Sequence, residues 1–399
     1  MLAQYTGEGF YRMKNNGTAK RYISIVNDRV YSGFKSIGLT ELNQIQTVNA
    51  LRTVKNPVSD PGTIIYISGN TGDLSLEGQG MRTQDLLRGY KLNASGSSEA
   101  QQLSSEYKGT MIILMDDYDA DTKKDAAVGV GVTKVAREAN QYASWNIIKV
   151  DNENEYLGIV PEITIGDKYY TTLYTSYAYQ LSEGMKAYYV SEHEYSDNKI
   201  AEPAAVLKEI TGKVPAATPV ILECTSNKAE DNKLIPLTSS DAPSAVSGNE
   251  LKGIYFCYIK MKDNDKDELE NQKATEEKNA TAYESSTMRV LGSVNGQLAL
   301  IQATDKQLVV TNKGKYLPAN KAYFPIKASE ANSTKNGIML VDKTAFDAAL
   351  TAITNVTSDE KATKSGVFTL TGVRAKADNS TEGLSNGIYV VNGKKVIVK

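Results

Sequence analysis

Short apolar runs closed by Gly, Asn or Asp recur along the chain, and that rhythm limits its fold more than any other feature. "RYISIVNDRVYSG", "GTIIYISGN", "GDLSLEGQG", "GTMIILMDD" and "SWNIIKV" each read as a strand ending in a turn. Tyrosine outnumbers phenylalanine, 24 against 6, which suits half-wet strands whose rings pack while their hydroxyls keep a polar partner. Three stretches depart from the rhythm: 41–56, 98–108 and 132–143 carry helical spacing and are expected as short helices between strands. In the first, Leu42, Ile45, Val48 and Leu51 fall at three-residue steps.

At 399 residues the chain exceeds what one hydrophobic core usually serves. The expected fold is mainly β: a first β-domain with short helical insertions over 1–153, a β-sandwich-like domain over 154–335, a helical linker over 336–365 and a small β-unit over 366–399. No window approaches the ~20 apolar residues of a membrane span. A net charge of −2 without a basic stripe argues against nucleic acid as a partner. Cys224 and Cys257 both sit in apolar strand-like runs and read as buried free thiols, with pairing the alternative. Small residues near Leu2 and Ala3 suggest a removed leader and a mature chain beginning near Gln4.

From residue 165 tyrosine dominates. In "YYTTLYTSYAY" strand alternation places Tyr169, Leu173, Tyr177, Tyr179 and Leu181 on an apolar face, expected as core. Tyr170, Thr172, Tyr174 and Ser176 share the other face, where Tyr170 and Tyr174 are candidate ligand-binding rings or else pack beneath a loop. "SVNGQLAL" and "VVNGKKVI" each hold an Asn-Gly dipeptide, the signature of a type I′ hairpin. "GKVPAATPVILE" (212–223) and "GKYLPANKAYFPI" (314–326) echo one another, each passing from Gly-Lys through Pro-Ala into an apolar strand. "KDNDKDELENQKATEEKNATAYESS" (262–286) reads as an exposed helix or a mobile loop, and 343–356 as a helix.

Asp117, Asp119 and Asp121 occupy the first, third and fifth positions of a calcium-loop pattern. Thr122 stands where that loop needs Gly and Val128 where it needs a bidentate Glu, so an acidic turn is the better reading of these candidate metal ligands. His193 is the sole histidine, which excludes any two-histidine metal site. No phosphate-binding loop, dinucleotide fingerprint or C-x-x-C is present, and no cofactor is implied. Carboxylates are plentiful, so a glycosidase pair stays open.

The last 34-odd residues carry a further pattern: Gly372 and Val373 end one strand, followed by Leu384, Gly387, Tyr389 and Val391, then Lys394, Lys395, Val396, Val398 and Lys399. This layout resembles the C-terminal sorting domain of secreted Bacteroidetes proteins exported by type IX secretion. The resemblance implies export machinery as a partner and an extracellular or outer-membrane surface location, with Gly372, Leu384, Gly387, Tyr389, Lys394 and Lys395 forming the sorting signal. The tight "VNGKK" turn departs from the usual form. At the other end Tyr11, Met13 and Asn15, then Arg21, Tyr22 and Ile23, and finally Trp145 and Ile147 resemble the opening and closing strands of a ricin-type β-trefoil, with Ala143 where that family has Gln. That family often binds sugars.

Taken together, these features lead us to expect a secreted or surface, non-catalytic protein that binds glycans or a surface protein. The alternatives are a structural or adhesion scaffold and a polysaccharide-active hydrolase using carboxylates.

Overall fold

The computed structural model describes residues 6–15, 22–25, 51–54, 57–70, 73–78, 81–82, 90–93, 101–105, 111–115, 118–119, 124–125, 133–136, 144–151, 153–195, 199–255, 257–261, 274–278, 280–311, 314–358, 366–369, 373–391 and 394–398. They are mainly β, with large curled sheets. The chain forms two compact units, Met1–Tyr195 with Pro203–Asp342, and Ser196–Glu202 with Lys343–Lys399.

In the first unit six antiparallel strands pair in a closed circuit. Gly9–Asn15 pairs with Ile65–Asn70, followed in turn by Asp73–Gly78, Tyr90–Asn93, Gln101–Ser105 and Ser144–Lys149, which returns to Gly9–Asn15. Three branches leave this circuit: Tyr22–Ile25 with Leu51–Val54, Met111–Met115 with Thr133–Ala136, and the short Met81–Arg82 on Asp73–Gly78. Tyr11 and Met13, two residues apart, are fully buried, as strand alternation requires of one face.

The expected helical insertions are corrected where they are described; 41–50, 55–56, 98–100, 106–108, 132 and 137–143 lie outside the described residues. Gln101–Ser105 and Thr133–Ala136 are strands inside the stretches 98–108 and 132–143, and Leu51–Val54 is a strand at the end of 41–56. Three-residue apolar spacing over so short a stretch does not exclude a strand, and partners distant in sequence supply the ladder that decides it. Within 262–286, Ala274–Lys278 is likewise a strand, paired with Tyr258–Met261.

A second large sheet follows, ordered Ile163–Ile165, Lys168–Leu173, Val220–Cys224, Lys186–Glu194, Ala204–Ile210, Ile338–Val341, Gln297–Ile301, Met288–Val294, Lys321–Pro325 and Lys252–Ile254. Among the described residues its one parallel pairing joins Ala204–Ile210 to Ile338–Val341. A smaller sheet of Leu157–Gly158, Lys233–Leu237, Ala178–Leu181 and Lys213–Val214 faces it. Leu173, Tyr179, Leu181, Val214, Leu222 and Leu234 fill the space between them, as expected for the odd-numbered tyrosine face. Val190, Ile221, Leu291, Leu300, Phe324 and Ile338 form a second core. The "SVNGQLAL" turn is as read: Asn295 and Gly296 both have positive φ, 51° and 75°, between Val294 and Gln297, which face one another.

The boundary expected between 153 and 154 lies inside the first unit. Arg12, fully buried, crosses it by donating to Glu155 Oε2 at 3.1 Å and to the Tyr156 carbonyl at 2.7 Å. In the second unit the expected helix is present as Lys343–Ser358. A four-stranded sheet completes that unit, ordered Arg374–Lys376, Val367–Thr369, Gly387–Val391 and Lys394–Val398.

Candidate functional site

The tyrosine stretch leaves its strand after Leu173 and crosses to the smaller sheet at Ala178. Two turns hold the crossing segment. The Asn320 carbonyl accepts from Tyr174 N at 2.9 Å while Asn320 Nδ2 donates back to the Tyr174 carbonyl at 2.9 Å. From the other turn, Ala217 N donates to the Thr175 carbonyl at 2.9 Å. Ala217 and Asn320 have φ of 54° and 59°, a region that costs an L-residue about 1–2 kcal/mol. They are the third residues of the echoed Pro-Ala-Ala and Pro-Ala-Asn triplets, so the echo marks two like turns gripping one segment.

One cavity of about 310 Å³ opens beside this segment. Phe10, Tyr66 and Tyr177 supply its rings, and Ser176, Thr238 and Ser239 supply hydroxyls. Among the described residues none of its lining side chains is charged. Phe10 lies 5.2 Å from the Tyr66 ring and 5.9 Å from the Tyr177 ring, tilted against both. The Tyr177 hydroxyl donates to the Pro61 carbonyl at 3.2 Å, which fixes the ring. Burial holds that hydroxyl well above the usual phenol range, with Arg12 pulling partly back, so Tyr177 stays neutral. Tyr66 donates to the exposed carboxylate of Glu8, and Thr238 donates to Asp241 Oδ2 at 3.0 Å.

A second cavity of about 300 Å³ is lined by Tyr174, Thr218, Asn249, Lys252 and Gly253, among others. The Tyr174 ring stacks on Tyr255 at 4.1 Å with planes 15° apart. It also lies so close to Gly253 that a Cβ there would sit 2.1 Å from the ring. Tyr174 thus presents only part of its ring to this space. Tyr170, its partner in the sequence reading, belongs to the second core at 8% exposure. The structure therefore does not bring Tyr170 and Tyr174 together as an exposed pair.

Beside Tyr170 lies a charged cluster: Glu223 sits 3.3 Å from Lys168 and accepts from the Tyr188 hydroxyl at 3.2 Å. Burial, then Glu223, raises the Tyr188 and Tyr170 hydroxyls. The carboxylate is thus taken up by an ion pair and a hydrogen bond. His193 places Nδ1 2.6 Å from Glu250 Oε2 and stacks on Tyr195 at 4.6 Å. Among the described residues no three His, Cys, Asp or Glu side chains gather as a metal site. Asp117 and Asp121 lie outside the described residues. Asp119 is in the short Tyr118–Asp119 strand, and its side chain lies outside what is described. Neither cysteine forms a disulfide; Cys224 is buried and Cys257 half-buried.

Of the sorting-signal residues, Gly372 lies outside the described residues. Leu384 is half-buried, and its N–H donates to the Thr381 carbonyl. Gly387 opens the strand that carries Tyr389, whose buried hydroxyl donates to the Ser385 carbonyl at 3.0 Å. Lys394 opens the next strand, and Lys395 is exposed.

Phe10 and Tyr66 were not singled out by sequence, although a signal exists. They oppose one another in register on the strand phase alternate to Tyr11, Ile65 and Ile67, which are buried. An aromatic residue at the phase expected to be polar marks a face with something to cover or to bind. Compared with known proteins, the chain matches no family model, no curated protein and no solved structure.

Proposed function

We propose that the chain is a non-catalytic binding protein of the cell exterior whose Phe10–Tyr66–Tyr177 cavity takes a neutral saccharide unit. The observation that carries this reading is the lining of that cavity: three rings and three hydroxyl side chains, with no charged group among the described residues. An uncharged ligand with apolar faces and hydroxyl edges suits such a wall, because rings cover the faces while hydroxyls exchange hydrogen bonds at the edges.

The closed circuit of six strands with its side branches supports a trefoil-like arrangement of residues 1–153. So does the register that sets Met13 against Ile147 and Asn15 against Trp145. The smaller sheet packed across the larger one supports a sandwich-like reading of the region that follows. The terminal four-stranded sheet supports the reading of that unit as an export label, since its hairpin pairs Val391 with Lys394 around Asn392-Gly393.

A glycan-array screen of the full chain tests the binding reading, repeated with Phe10→Ala and Tyr66→Ala. Saturable binding to neutral glycans, lost in both variants, is the expected result. Silence across the array removes the reading and leaves the scaffold alternative. Binding that both variants retain moves the site away from this cavity.

A further inference from the structure

The described residues expose four large apolar side chains, Val160, Val373, Ile388 and Ile397, and three of these belong to the second unit. Ile388 and Ile397 directly oppose one another across the terminal hairpin and are 47% and 68% exposed. Phe368 opposes Val390, which in turn opposes Lys395. Strand alternation puts these residues on the face of Ile388 and Ile397. The opposite face holds Val367 and Tyr389, both buried. This small sheet thus has one covered face and one open apolar face bordered by a lysine.

The sheet is also open at its side. Lys394–Val398 is its last strand, paired only with Gly387–Val391 among the described residues. Such an edge presents unpaired N–H and C=O groups to any extended chain. Lys395 makes no ion pair among the described residues.

We propose that the Lys394–Val398 edge receives an extended segment of a partner protein, one with an apolar and an acidic residue two positions apart, as an added antiparallel strand. Main-chain hydrogen bonds supply attachment, while alternate side chains supply selectivity. On the open face the segment's apolar residue extends the Ile388–Ile397 pair, and its carboxylate meets the Lys395 ammonium. A second copy of this strand is a poorer occupant, because "KKVIV" holds no carboxylate to meet Lys395.

The test uses the full chain and a fluorescent peptide that sets valine and glutamate on one face, Thr-Val-Thr-Glu-Thr, with Thr-Val-Thr-Lys-Thr as its counterpart. Saturable binding of the acidic peptide is expected, with slowed hydrogen exchange at the amides of 394–398. Lys395→Glu weakens it roughly fivefold, the scale of one reversed cross-strand charge pair, and Ile397→Ser also weakens it. Both positions are exposed, and thermal melting verifies that the variants fold. The proposal is overturned by absence of binding, by equal binding of the two peptides or of the variants, or by binding that leaves 394–398 unprotected. Concentration-dependent dimerisation abolished by Ile397→Ser would also overturn it, assigning the edge to a second copy.

Discussion

Ala217 and Asn320 adopt the same left-handed backbone conformation, and through it they grip adjacent residues, Thr175 and Tyr174. The grip fixes where the tyrosine segment leaves one sheet for the next, between the two cavities. Ala217 bears the Cβ cost of that conformation without a side-chain bond to offset it. Ala217→Gly is expected to raise stability by up to about 1 kcal/mol. Asn320→Ala removes the Nδ2 bond to Tyr174 and is expected to lower it by about 2 kcal/mol. Urea titration of both variants decides the matter, and equal small effects would mean the turns are passive.

Arg12 ties residues before 153 to those after it. Its guanidinium donates to Thr63 Oγ1 at 3.0 Å, the Pro57 carbonyl at 3.1 Å and the Tyr156 carbonyl at 2.7 Å, besides Glu155. Arg12→Met strands those acceptors and should cost about 3 kcal/mol. Glu155→Gln should cost under about 1 kcal/mol, since Glu155 is partly exposed. Thermal denaturation of the two variants measures the contrast.

Alkali should unfold the chain through its buried weak acids. Burial pushes the Cys224 thiol up to about 12, with Lys321 drawing it partly back, whereas the unfolded thiol ionises near pH 9. Between those values the folded state keeps a proton that the unfolded state has lost. Stability from this site is therefore complete below about pH 9 and falls as pH rises toward 12. Burial raises the Tyr177 and Tyr179 hydroxyls too, adding to the same decline. Melting temperatures measured from neutral to alkaline pH should fall, and Cys224→Ala should flatten the earliest part of that fall.

Gly253→Ala tests the wall of the second cavity. The added methyl meets the Tyr174 ring at 2.1 Å, so the Tyr174–Tyr255 stack must open. A loss of about 1–3 kcal/mol is expected. Tyrosine fluorescence should change with it, while glycan binding at the Phe10 cavity is expected to persist.

The sequence was most legible where local chemistry decides. Alternation marked Leu173, Tyr179 and Leu181 as core, and Asn295-Gly296 announced its hairpin. The regular 343–356 stretch is a helix. Legibility failed where partners distant in sequence decide. Gln101–Ser105 is a strand because Tyr90–Asn93 and Ser144–Lys149 flank it, which no local spacing reveals. The tyrosine face was read one step too simply for the same reason. Alternation separated Tyr170 from Tyr169, yet both faces of that strand are covered, so Tyr170 is as interior as its neighbours. The meeting of Phe10 and Tyr66 with Tyr177 required strands far apart in the chain.

The Ile338–Val341 strand lies between Ala204–Ile210 and Gln297–Ile301. During synthesis, then, Ala204–Ile210 waits with a bare edge until more than a hundred further residues have been made. Pairings this distant in sequence form slowly, and an unfilled slot in a sheet invites the wrong strand. The nascent chain thus has a period of vulnerability fixed by its topology, one that ends when Val341 has emerged and docked.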